Sequence, residues 1–162
     1  FCRLAFEVSQ EVPEVEFVLA GFATGDGCST EYHDLVHGMG TQPLDAEEFA
    51  RRAASLTYSV WAGDPEYYRL VASASFLDSL YYGKPGIYLR NPYVEHYFER
   101  MGDIGYLVDS YEEMHELLIQ LARDFPEERY RRQCATIVQA RKALSPEALS
   151  GVFRSIVDRA RA

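Results

Sequence analysis

The stretch that decides the fold is Ser73-Ala74-Ser75-Phe76-Leu77-Asp78-Ser79-Leu80-Tyr81-Tyr82-Gly83-Lys84-Pro85-Gly86-Ile87-Tyr88-Leu89. It reads as a small-residue loop, a short helix, a tight turn and a buried strand. Phe76, Leu77, Leu80 and Tyr81 recur at helical spacing, which predicts a helix packed on a sheet through those side chains. Gly83 ends the helix, because glycine takes a left-handed cap most easily. Pro85 prevents continuation. Asp78 sits one turn inside the helix, behind two serines suited to cap it. A helix N-terminus presents unpaired N–H groups and partial positive charge, which suits a phosphate. A carboxylate one turn further in would accept hydrogen bonds from a sugar diol. The plainer alternative is that a serine only caps and Asp78 only complements the helix dipole. The residues alone leave both open.

Outward from this stretch, strands alternate with helices. Phe1 to about Val12 is an amphipathic helix stopped by Pro13. Val15 to Ala20 is an apolar strand. The Gly21–Thr30 run is a plain loop, since it lacks the Gly-Lys-Ser/Thr ending of a phosphate loop. Tyr32 to His37 is a second strand, and Gly38-Met39-Gly40 ends it at the sheet edge where ligands of open α/β sheets bind. Asp45 and Glu48 form a capping-box pattern for the next helix. Thr57 to Ala62 is the third strand. After Leu89, Arg90-Asn91-Pro92 is a loop and Tyr93 to Met101 a helix. Gly105 to Val108 is the fifth strand, and Asp109 or Ser110 caps the helix carrying Met114, Leu118 and Leu121. Two trailing helices follow, about 126–143 and one opening at Ser145-Pro146. Such alternation predicts right-handed crossovers and one parallel sheet with helices on both faces, a Rossmann-like single domain over 1–162.

Composition narrows the classes. The chain has 162 residues, 48% of them hydrophobic, with 12 Tyr and 9 Phe, so it has enough apolar surface for a core. A formal net charge of -9 argues against a broad nucleic-acid surface. No apolar run approaches about 18 residues, so no transmembrane helix is expected. Cys2, Cys28 and Cys134 are far apart and predict no disulfide framework, which makes a reducing cytosol the default. Four scattered histidines and the absence of Asp-x-Asp give no support for a metal site. The first residues already show helical periodicity, so the chain is expected to be a fragment that begins inside its domain.

The segment Leu77-Asp78-Ser79-Leu80-Tyr81-Tyr82-Gly83-Lys84-Pro85-Gly86-Ile87 resembles one in group 1 glycosyltransferases of the GT-B fold. There it reads Leu-Glu-Ala-Met, two residues, Gly-x-Pro, then apolar residues. The order of elements is similar across most of the chain. The resemblance implies the C-terminal, donor-binding half of such an enzyme, lacking its first strand and its N-terminal acceptor domain. It implies a nucleotide-diphosphate sugar as donor, with Asp78 on the ribose and Ser73, Ala74 and Ser75 around the diphosphate. Gly38 and Met39 would border the donor at the sheet edge. Arg69 and Arg90 flank the stretch and would face the leaving diphosphate; Lys84 lies at the wrong end of the helix. No metal or other cofactor is expected, and the acceptor domain is the expected partner in cis. The expected place is the cytoplasm, including the inner face of the membrane. One departure stands out. Retaining members often carry Glu-x7-Glu, and the first of those positions is Leu70 here. The alternatives are a nucleotide-sugar 2-epimerase, disfavoured because Asp78-Ser79 replaces an acidic pair, and a degenerate interaction domain. A receiver-like signalling domain fits poorly, because its acidic pair after the first strand is absent.

Overall fold

The computed structural model describes residues 1–22, 36–38, 40–63, 66–69 and 71–161, with only the backbone of residue 69. The elements are α1 (Cys2–Glu11), β1 (Phe17–Val18), β2 (Val36–His37), α2 (Ala46–Ser55), β3 (Ser59–Trp61), α3 (Ala74–Tyr81), β4 (Gly86–Leu89), α4 (Pro92–Met101), β5 (Gly105–Val108), α5 (Tyr111–Arg123), α6 (Glu127–Ala140) and α7 (Pro146–Arg161). Short 3-10 turns cover Tyr67–Arg69 and Arg141–Leu144. Side-chain caps start four of the helices, and the sequence marked all of them but Asn91, which it placed in a loop. Asp45, Ser73, Asn91 and Ser110 each accept the N–H three residues on, at the starts of α2, α3, α4 and α5.

All strand pairs are parallel, as expected. They form two small sheets rather than one: β1 with β2, and β3-β4-β5. No backbone ladder joins β1 to β3 among the described residues, and a cavity lies between them, as described below. The strands are also shorter than their apolar runs.

Helices cover both faces. In β4, Ile87 points to one side and packs with Leu4 and Val8 of α1 and Met114 and Leu118 of α5. Tyr88, one residue on, points to the other side and packs with Phe76 and Leu80 of α3, Val94 of α4 and Ile137 of α6. Period-two alternation with apolar residues on both sides is what a doubly covered parallel strand requires. Gly86 shares its face with Tyr88, and a Cβ at Gly86 would overlap the Tyr88 ring. Gln133 of α6 is fully buried, and its amide donates to Asp103 Oδ1 at 2.8 Å and to the Gly105 carbonyl at 3.0 Å.

Two expectations are corrected. Leu77 and Tyr81 are exposed, whereas Ser79 is buried. The inner face of α3 is Phe76, Ser79 and Leu80, because the Tyr88 hydroxyl reaches into the helix and needs a polar partner there. Cys2 is disulfide-bonded, with its partner outside the described residues, while Cys134 is a free thiol. The cysteine-based argument for a reducing compartment therefore falls.

None of α7 is buried. Leu149, Val152, Phe153 and Ile156 form an exposed apolar stripe along it. A continuous stripe of this kind invites association. Phe153→Asp should leave the thermal midpoint almost unchanged, as a surface substitution does, and should reduce self-association in sedimentation velocity at high concentration. A large fall in Tm would show instead that the stripe is packed within the monomer.

Candidate functional site

A cluster of polar groups lies where α3 begins, at the C-terminal edge of β3 and β4. Ser73 is buried, and its Oγ accepts the Phe76 N–H at 3.2 Å and lies 3.0 Å from Ser75 Oγ. The Ser73 carbonyl takes the Leu77 N–H at 3.3 Å. The main-chain N–H groups of Ala74 and Ser75 remain at the helix mouth. At its other end α3 closes in a Schellman turn. Gly83 adopts φ 69°, Lys84 N–H donates to the Ser79 carbonyl and Gly83 N–H to the Leu80 carbonyl. Pro85 then leads straight into β4. Lys84 Nζ donates to the Ala54 carbonyl at 2.7 Å, capping α2 and not α3.

Asp78 lies beyond the first turn of α3, which contains no acidic residue. Its carboxylate has no hydrogen-bond or ion-pair partner among the described residues. Partial burial alone pushes its pKa up, with no charged neighbour contributing. Helix-dipole stabilisation fades within the first turn, so the dipole explanation for this carboxylate is weak. Asp78 and Ser75 both line a cavity of about 850 Å³, large enough for a nucleotide-sized ligand.

The other expected site residues are spread around this edge. Gly38 follows β2 with φ 81°, and a side chain there would collide with the Arg52 guanidinium. Arg52 Nη1 donates to the carbonyls of Gly38 at 2.8 Å and Leu19 at 3.1 Å, tying together the ends of β1 and β2. Its Nε is held by Glu48 at 2.6 Å. Sequence reading missed Arg52, although its four-residue spacing from Glu48 on α2 was a visible signal. Met39 and Leu70 lie outside the described residues, as does the Arg69 side chain. Arg90 follows β4 and pairs with Asp109 beyond β5 and with Glu95 of α4, the latter at 3.1 Å. Ser73, Ala74, Ser75 and Asp78 are thus brought together on α3. Arg90 is committed to two carboxylates on the β5 side.

No group of three His, Cys, Asp or Glu side chains could hold a metal ion among the described residues. No described helix is long and apolar enough to cross a membrane. No protein-family model, curated protein or solved structure matches the chain.

The Arg52 tie has a pH signature. Bonds from Arg51 and Arg52 hold the Glu48 carboxyl at about 2, below its ordinary 4.5. A depressed acid contributes stability above its unfolded value and loses it as pH falls towards the folded value. Thermal melts between pH 4.5 and about 2 should therefore show a steeper loss of Tm for the wild type than for Glu48→Gln. High salt should shrink the difference, because the pair is partly exposed. Equal slopes would remove Glu48 from the account.

Proposed function

We propose that the chain is the donor-binding half of a glycosyltransferase, taking a nucleotide-diphosphate sugar at the start of α3. The observation that carries this is the Asp78 carboxylate, without a partner among the described residues, one turn inside a helix whose first N–H groups lie beside a large cavity. A phosphate suits the helix mouth, where N–H groups and the dipole favour negative charge. A ribose diol suits the carboxylate one turn in. The resemblance of Leu77–Ile87 to the GT-B segment assigns the same two roles to these positions.

Transfer by such an enzyme would align donor and acceptor and stabilise the departing diphosphate. This chain's part would be to bind and orient the donor through Ser73, Ala74, Ser75 and Asp78. Gly38 and Met39 would border the site. Arg90 would reach a diphosphate only by leaving Asp109 and Glu95. The acceptor and the general base would belong to an N-terminal domain in cis, and the exposed stripe of α7 supports contact with such a domain.

Hydrogen bonds to a charged group contribute about 1.5–3 kcal/mol each. Asp78→Ala should weaken nucleoside-diphosphate binding about tenfold or more. Inorganic pyrophosphate, which has no ribose, should bind the variant and the wild type alike. Isothermal titration calorimetry of both proteins with both ligands separates the outcomes. Equal weakening for the two ligands, or none for either, would sink the ribose assignment.

A further inference from the structure

We propose that α7 is a docking helix for an anionic lipid surface, lying among the headgroups with Leu149, Val152, Phe153 and Ile156 turned into the bilayer. The assignment does not rest on the nucleotide site.

Charge is unevenly divided along the chain. Residues 141–162 hold five basic and two acidic side chains, a formal charge of +3, and the other 140 residues carry -12. The basic segment is also the one whose helix has no core to cover. α5 and α7 are both amphipathic, but α5 buries Met114, Leu118, Ile119 and Leu121, whereas no residue of α7 is buried. α7 packs chiefly on the 3-10 turn that leads into it. Leu144 holds that turn to the core, and Arg141 Nη1 donates to the Tyr81 carbonyl at 2.6 Å. The helix therefore starts from a fixed base and presents its length to solvent.

At about 100° per residue, Leu149, Val152, Phe153 and Ile156 fall on one face of α7. Arg159 borders that face. Arg154 and Arg161 lie further round, with stems long enough to bring their charges towards the same plane. Glu147 and Asp158 lie on the opposite side. Glu147 is also turned onto the helix start, where its own N–H and Ser145 donate to it. Several arginines elsewhere on the surface are paired, Arg3 with Glu7, Arg51 with Glu48 and Arg131 with Glu127. Arg154, Arg159 and Arg161 make no ion pair among the described residues.

An apolar stripe with cations beside it and acids behind it is the pattern of a helix that lies in a membrane interface. At about 24 Å, α7 is among the helices too short and too polar to cross a membrane. Apolar side chains alone would suit a protein domain or a second copy as well. The cations select the lipid, because a second α7 has no acidic residue bordering its stripe to answer them. Headgroups repel the acidic body of the chain, but salt screens that repulsion beyond a Debye length of about 8 Å. The arginines of a helix lying on the surface are attracted within that distance.

The test is co-sedimentation of the full chain, at low protein concentration, with vesicles of phosphatidylcholine containing about one-third phosphatidylglycerol. The chain should bind these vesicles and not phosphatidylcholine alone, and added salt should weaken the binding. Each arginine near an anionic surface contributes about fivefold, so changing Arg154, Arg159 and Arg161 together to Gln should weaken binding about a hundredfold. Phe153→Asp should abolish it. Both variants should keep the wild-type Tm, since the core does not use α7. Phe153→Trp should shift emission to the blue on the anionic vesicles, against the baseline set by Trp61, the single tryptophan. Equal binding to neutral vesicles would overturn the proposal, as would binding that survives the arginine changes. Absence of binding would overturn it too, and would leave the stripe to a protein domain or a second copy. Asp78→Ala should bind vesicles as the wild type does, so failure here is distinct from failure of the calorimetric titration.

Discussion

The Tyr88 hydroxyl meets Ser79 Oγ at 2.9 Å in the centre of the molecule, and the position of the candidate site depends on that contact. Both groups are buried, and Ser79 Oγ also bonds the Phe76 carbonyl at 2.6 Å. An unpaired hydroxyl in that place would cost about 1–3 kcal/mol, so helix and strand are held in one register. Gly86 leaves space for the Tyr88 ring, and burial raises the phenol's pKa. The phenol therefore stays neutral and available as donor or acceptor. The contact fixes how far α3 slides along β4. It thereby fixes where Ser73 starts the helix relative to the sheet edge.

Local chemistry was legible and long-range chemistry was not. Asp45, Ser73 and Gly83 announce helix ends because a cap involves atoms only a few residues apart. The alternation of Ile87 and Tyr88 announces a strand covered on both faces for the same reason. The burial of Ser79 was not legible, since nothing near it in sequence shows that Tyr88 would reach it. Leu77 and Tyr81 looked like core because apolar spacing fixes a stripe only to within its edges. Arg52 drew no reading from the sequence. Its bonds to the Gly38 and Leu19 carbonyls join segments that only the fold brings together. The division into two sheets was invisible, because each strand read separately has no information about which neighbour it lacks.

Of the candidate site, the layout of the α3 portion was legible and the surroundings of Arg90 were not. Ser73 and Asp78 lie on one short helix, where spacing translates directly into geometry. Arg90 was selected for its nearness in sequence to the site. In the fold, β4 carries it to the far side of the strand end, where Asp109 and Glu95 take it up. A guanidinium with two carboxylates in contact has its charge answered already. Recruiting it to a ligand would mean breaking one set of charge-assisted bonds to make another.

Among the described residues, that leaves the helix mouth short of positive charge. A helix N-terminus supplies the equivalent of about half an elementary charge, whereas a diphosphate carries at least two negative ones. Lys84 is spent on the Ala54 carbonyl at the opposite end of α3, and Arg52 on strand ends and Glu48. The chain as a whole is strongly acidic, so its long-range field opposes an anionic ligand. Donor binding at Ser75 and Asp78 therefore calls for further N–H groups or cations at the same edge.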